Sequence, residues 1–149
     1  MLYKSFLFII FTVFVLSATG VFAGDGDSII SAHITNVYDG DTVTAQLYLL
    51  PGLIQTTNIR LLGIDTPEMK SKSECEKELA VKAKEFLSDL ILDKDVYVTN
   101  ISRDKYGERI DGYIYLSVID HKSVSEILIE KNYAIPYDGG KKDHEWCTD

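Results

Sequence analysis

The sequence predicts an α+β fold, mainly β, in the form of a five-stranded Greek-key barrel of the OB type with two or three helices. Three observations carry that expectation. Extended apolar runs come as a group of three and then a group of two, a capped amphipathic stretch separates the groups, and a second capped stretch follows. A chain of 149 residues has room for one such domain, and an apolar share of 46% is ordinary for one packed core.

The first run, residues 29–38, is rich in β-branched side chains and stops at Asp39-Gly40, a tight-turn signal. Residues 42–50 alternate through Val43, Ala45, Leu47 and Leu49, Pro51-Gly52 breaks the run, and residues 56–64 supply a third strand. Ser73 followed by Glu76 fits a capping box, after which Leu79, Ala83, Phe86, Leu87, Leu90 and Ile91 recur at helical spacing. Residues 96–101 and 110–119 read as two further strands around the polar loop 102–108. Asp120-His121-Lys122 turns the chain, and Ser123 with Glu126 makes a second capping box ahead of Val124, Ile127 and Leu128. No internal repeat is present, and residues 138–149 read as the loose segment.

The amino end has a different character. Lys4, an apolar run over residues 6–16 and small residues ending in Val21-Phe22-Ala23 read as a signal peptide cleaved after Ala23. The alternative is a retained anchor, because the run has borderline length for a membrane span. Cleavage implies a secreted or periplasmic domain, residues 24–149, without stable membrane association; a monomer is expected. That domain carries 14 Lys and Arg against 23 Asp and Glu, a net charge of −9, since the first 23 residues hold one Lys and no acid. Such a balance argues against tight, nonspecific binding of nucleic acid through bulk charge, while an enzyme that turns over needs only a local cationic site. Cys75 and Cys147 are the two cysteines. Export places them where disulfides persist, so a single bridge is expected, with two buried free thiols as the alternative.

Two acidic turns stand out, Asp39-Gly40-Asp41-Thr42 and Asp65-Thr66-Pro67-Glu68, because each brings carboxylates to the end of a strand. Asp41, Asp65 and a backbone carbonyl would supply the hard oxygen donors that Ca²⁺ or Mg²⁺ takes, with water completing the shell. Either turn alone is more commonly just a turn. Arg60 changes the balance: it is a lone cation in the apolar run 59–64, where an unpaired charge is costly. It calls for an anionic partner, either a neighbouring Asp or a phosphate. Arg103, Lys105 and Arg109 form a second cationic cluster around Tyr106-Gly107. His33, His121 and His144 lack metal-ligand spacing, and Tyr97, Tyr113, Tyr115 and Trp146 read as packing residues.

Three segments together resemble the thermonuclease, or staphylococcal-nuclease-like, family: Val37-Tyr38-Asp39-Gly40-Asp41-Thr42-Val43, Ile59-Arg60-Leu61-Leu62-Gly63-Ile64-Asp65-Thr66-Pro67-Glu68, and Asp104-Lys105-Tyr106-Gly107. They stand in the family's order, with the capped helix between the second and third, and the resemblance runs from about residue 29 to 137. It implies a nuclease that hydrolyses phosphodiester bonds of DNA and RNA with Ca²⁺ as cofactor, Mg²⁺ being the alternative. Asp41 and Asp65 would hold the metal through their side chains and Thr66 through its carbonyl. Glu68 would be the general base, Arg60 and Arg109 would hold the phosphate, and Lys105, Tyr106 and Tyr137 would bind the nucleotide.

The sequence departs from the family pattern in two places. Glu108 stands between the loop Gly107 and Arg109, so a bulge at Glu108 is expected to return Arg109 to the site. The family's closing helix has no counterpart after Tyr137, where a Cys75–Cys147 bridge would instead tie the tail to the first helix. The rival readings are a non-catalytic OB-type module that holds nucleic acid or protein without cutting it, and a structural protein in which Ca²⁺ only stabilises. The joint presence of Asp41, Arg60, Asp65 and Glu68 favours catalysis over both.

Overall fold

A computed structural model describes residues 28–103, 107 and 109–147. The expected signal segment lies outside these residues, as do Lys105, Tyr106 and Glu108.

Five strands close a barrel in the order β1-β2-β3-β6-β5, with β5 returning to β1. Strands β1 (Ile30–Val37), β2 (Thr42–Leu50) and β3 (Leu53–Leu61) form a meander, and β5 (Asp95–Arg103) pairs antiparallel with β6 (Ile110–Tyr115). The seam between β3 and β6 is parallel, with Ile59 beside Ile110, Arg60 beside Asp111 and Leu61 beside Gly112. Alternation along each strand sends Ala32, Ile34, Val43, Ala45, Leu47, Ile59, Leu61, Val96, Val98 and Ile114 inward, all buried. This is the α+β, mainly β architecture that the run pattern predicts, with two helices among the described residues.

The third run differs from expectation at both ends. Pro51-Gly52 makes a hairpin tight enough for β3 to begin at Leu53, Gly52 taking the positive φ of 82° that such a turn requires. At its far end the strand stops at Leu61, and Gly63, also at a φ of 82°, turns the chain into a separate short strand β4 (Ile64–Asp65). β4 pairs with β7 (Ile135–Pro136) in a two-stranded sheet outside the barrel. That break lifts Asp65 and Glu68 out of the barrel wall that carries Arg60.

Helix α1 (Glu74–Ile91) buries Ala80, Ala83, Leu87 and Ile91 against the barrel, so the buried stripe begins at Ala80 rather than at Leu79. Its capping box forms by half. The Ser73 hydroxyl accepts from the Glu76 N–H, but the Glu76 carboxylate turns away from the cap and accepts from the Glu68 N–H at 3.0 Å and from the Ser71 hydroxyl. The helix start thereby fixes the loop ahead of it. Helix α2 (Val124–Glu130) has the complete box, Ser123 and Glu126 satisfying each other's orphan groups. Its Ser125 hydroxyl donates to Leu62 O at 2.7 Å, clamping the chain where β3 breaks.

Residues 137–147 form no regular element, yet they are tied at both ends. Tyr137 N–H donates to Gly63 O at 3.0 Å, and Cys147 is bonded to Cys75 in the first turn of α1. The bridge spans 72 residues, and in the chain-entropy model a loop of that size stabilises by about 4 kcal/mol. Alkylation of native protein is expected to find no free thiol, and reduction to lower the melting temperature; two alkylated cysteines in unreduced protein would contradict the bridge.

Candidate active site

The site grows out of the barrel's turns. Tyr38 N–H and Asp39 N–H both point to Thr42 O, and the Asp39 carboxylate accepts from Asp41 N–H at 3.1 Å, closing the turn between β1 and β2. Gly40 has to be small: a Cβ there would stand 3.0 Å from the Thr66 side chain and 3.1 Å from Ala83 Cβ. The two acidic turns, 23 residues apart in sequence at their nearest, are therefore packed against each other over α1. Asp41 O accepts from Leu61 N–H at 2.8 Å, which locks the first turn onto β3 beside Arg60.

The charges meet there. Arg60 lies across from Thr42 on β2, and its guanidinium contacts Asp41 through two nitrogens, Nη2 to Oδ2 at 2.9 Å and Nη1 to Oδ1 at 3.4 Å. The same Nη2 stands 4.0 Å from Asp65 Oδ1. Asp41, Asp65 and Thr66 are buried at 5%, 4% and 4% exposure, whereas the Glu68 side chain is 59% exposed, as a group that meets water must be. The partner that an Arg in an apolar run requires is thus a carboxylate already in the fold, and the guanidinium keeps 23% exposure toward the surface.

A residue that sequence reasoning passed over completes the cluster. Lys142, in the tail expected to be loose, places Nζ 2.6 Å from Asp65 Oδ1 and 2.6 Å from Glu68 Oε1. Burial draws the ammonium's pKa down, but the hydrogen bonds to Asp65 and Glu68 outweigh it and hold the lysine above its ordinary value. The available signal was Cys147 itself: a bridge to the first helix brings the preceding Gly139-Gly140-Lys141-Lys142 back across the barrel end.

Beside Arg60 opens a cavity of about 320 Å³ lined by Gly63, Asp111, Tyr113 and Tyr137, and a second of about 540 Å³ shares Gly63, Tyr113 and Tyr137 with it. Tyr137 is held by its N–H to Gly63 O and by its hydroxyl, which donates to Gly140 O at 2.6 Å. Tyr113, read from sequence as a packing residue, instead walls this cleft. Asp111, the register partner of Arg60, has a buried carboxylate oxygen with no hydrogen bond among the described residues.

Arg109 immediately precedes β6 and is half-buried. Continuing the alternation of β6 back by one residue assigns it to the face of Asp111 and Arg60. The bulge expected at Glu108 falls outside the described residues. A different one is present in β5, where pairing shifts between Thr99↔Tyr113 and Ser102↔Asp111, with Asn100 at a φ of 51°. Gly112 opposite it accommodates the bulge, since a Cβ there would stand 3.2 Å from Thr99 O.

Two buried carboxylates, Asp41 and Asp65, fit a hard divalent cation through their donor chemistry. Among the described residues no group of three or more His, Cys, Asp or Glu side chains forms a metal cage.

Burial pushes the Asp41 carboxyl up to about 6; Arg60 pulls it down by less, and Asp39 adds to the rise. An acid whose folded pKa exceeds its unfolded value stabilises the fold fully below that unfolded value, and this contribution is lost as pH rises through the folded one. With metal chelated, the melting temperature of the wild type minus that of Asp41→Asn should therefore fall between about pH 4 and about pH 6, with half of the fall complete at about pH 5. A difference that stays level across that window would show that Asp41 titrates alike in both states.

Residues 58–146 match the family model described as staphylococcal nuclease homologue. The chain is 31% identical over 88 residues to a probable endonuclease of Schizosaccharomyces pombe, a match covering 57% of this chain and 38% of that protein. It is 29% identical over 85 residues to the probable endonuclease LCL3 of Yarrowia lipolytica, with the same two shares, and 26% identical over 93 residues to the lcl3 protein of Schizosaccharomyces japonicus, covering 60% and 40%. The chain thus spans well under half the length of these relatives. The matched segment takes in Arg60, Asp65, Glu68, Arg109 and Lys142 on a closed barrel with the acidic turns at one end, and on that ground the chain belongs to the staphylococcal nuclease homologue family.

Proposed function

We propose that this protein is a metal-dependent endonuclease that hydrolyses phosphodiester bonds of DNA and RNA. The observation that carries the reading is the clustering of Arg60 with Asp41 and Asp65, and of Glu68 with Asp65 through Lys142, the two Asp being buried and Glu68 exposed. The names of its relatives, probable endonucleases, point the same way.

The roles follow from the chemistry of each group. Asp41, Asp65 and the Thr66 carbonyl would hold Ca²⁺, or Mg²⁺, which when bound draws charge from a phosphate oxygen. Glu68, anchored through its N–H by Glu76, takes a proton from a water molecule while the water oxygen forms a bond to phosphorus and the ester P–O bond breaks, its oxygen leaving as a hydroxyl with a proton from solvent. Arg60 presents a planar fork to the phosphate and offsets the charge that builds on it, and Arg109 adds a second cation from the same face. Tyr137 and Tyr113 offer aromatic walls to a base, and Lys105 and Tyr106 extend the contact to the nucleotide. Most of the negative surface repels a polyanion, so binding is confined to this cleft and product release is eased. The Cys75–Cys147 bridge suits the secreted or periplasmic location that the amino-terminal segment implies.

The direct test is cleavage of plasmid DNA and of RNA with Ca²⁺, with Mg²⁺ and with chelator; no cleavage under any metal would leave a binding module. Glu68→Gln preserves shape and removes the base, so turnover should fall by roughly 10²- to 10⁴-fold with melting temperature unchanged. Full turnover in that variant takes Glu68 out of the mechanism. The cations separate in a second comparison. Arg60→Lys should lose much of the rate, since an ammonium lacks the planar fork, and Arg109→Ala should lose far more than Arg103→Ala. The reverse order for the last pair would move the second phosphate contact to Arg103.

A further inference from the structure

The tail between Tyr137 and Cys147 is a strap with both ends fixed. Tyr137 is held to Gly63 and flanks the β4–β7 pair, Cys147 is bonded to α1, and Lys142 stands midway, five residues from either anchor. The strap is shaped locally as well: Gly139 takes a φ of 91°, and Gly140 is gripped by the Tyr137 hydroxyl through its carbonyl and by Asp138 through its N–H. These constraints deliver one ammonium to the point where Asp65 and Glu68 converge, 2.6 Å from each. Asp65 is a proposed metal ligand and Glu68 the proposed base.

We infer that Lys142 is the cation site's own competing counter-ion, held in place by the Cys75–Cys147 strap, so that the disulfide sets how readily the site takes a divalent cation. This rests on the reading of Asp41 and Asp65 as metal ligands. A carboxylate buried to 6% side-chain exposure requires a positive partner, and Arg60 comes only to 4.0 Å of Asp65, leaving its charge to Lys142. A divalent ion that binds Asp65 has to displace that ammonium. The strap makes the competition intramolecular, and over so short a tether the local concentration of a linked group is in the millimolar range or above. Breaking the bridge frees one end of the strap and dilutes the competitor. Cys75 is exposed on the first turn of α1, so the bond lies open to a thiol reductant.

The readout is Ca²⁺ affinity by calorimetry on the full chain, independent of cleavage. Lys142→Gln should bind Ca²⁺ more tightly than wild type, by roughly tenfold if the ammonium holds the site about nine-tenths of the time. Lys141→Gln, an exposed neighbour with the same charge change, corrects for the general field. A gain in Lys142→Gln no larger than in Lys141→Gln, or a weaker affinity, overturns the inference. Wild type reduced under native conditions should gain affinity like Lys142→Gln, and reduction should add nothing to Lys142→Gln itself. Circular dichroism checks that reduced protein stays folded. If it does not, the comparison within oxidised protein still decides whether Lys142 competes. Tighter binding in Lys142→Gln with no effect of reduction on folded wild type overturns the role of the bridge. Asp65→Asn separates this idea from the one beneath it. Ca²⁺ binding that Asp65→Asn abolishes and Lys142→Gln leaves alone defeats the competitor only, while Ca²⁺ binding that Asp65→Asn leaves intact, or that is missing from every variant, defeats the metal-site reading and the competitor together.

Discussion

Two carboxylates buried side by side have to be matched by positive charge, and much of this molecule's local architecture meets that demand. Asp41 and Asp65 sit at the end of the barrel, about 5% exposed, in a chain whose charge is strongly negative. Arg60 takes the first carboxylate in a two-point contact and reaches toward the second, and Lys142 takes the second from the opposite side. Burial without these partners would neutralise the acids by protonation; the rise of Asp41 toward 6 shows how far desolvation already goes with Arg60 beside it.

The backbone devices around the site serve the same end. Ending β3 at Leu61 and restarting as β4 puts the second acidic turn outside the barrel wall, where it packs on the first across Gly40. Ser125 of α2 holds the break at Leu62, and Glu76 of α1 holds the N–H of Glu68. Glu76 shows how a local motif is recruited for a longer-range purpose. Its carboxylate gives up the capping-box contact to Ser73 and binds the loop that carries the candidate base, accepting from the Glu68 N–H and the Ser71 hydroxyl.

The disulfide gives an irregular tail the precision of a regular element. Residues 138–147 have no ladder or helix to hold them, and a Lys in such a segment is ordinarily solvated. Fixing both ends restricts the conformations available to the strap, so an ion pair that would be worth little on a free surface gains a defined geometry against a buried partner. The aromatic pair Tyr113 and Tyr137 gains its common cleft in a similar way. One side chain comes from the barrel and the other from the start of the strap, and only the β4–β7 pairing brings them together.

Within the sequence itself, local rules were enough to locate the five barrel strands, though not the ends of β3 and β6 or the short β4 and β7, and to locate both helices and the acidic turns. Alternation at Val43, Ala45 and Leu47, the capped 3.6-residue spacing from Ala83 to Ile91 and the turn residues Asp39-Gly40 each act over a few positions, where covalent geometry and side-chain burial decide the outcome. The lone Arg60 in an apolar run and the acids at fixed offsets from it likewise announced a charged site, because an unpaired buried cation is too costly to stand without a purpose. Other features depended on pairings between distant residues. The parallel β3–β6 seam sets Arg60 beside Asp111, and the bulge in β5 against Gly112 differs from the one that the Glu108 insertion suggested. The Glu76 contact to Glu68 and the arrival of Lys142 at Asp65 bridge separations of 8 and 77 residues. No periodicity encodes such contacts. They exist because barrel closure and the Cys75–Cys147 bond bring remote backbone together, and the electrostatic demand of a buried carboxylate then selects the cation within reach.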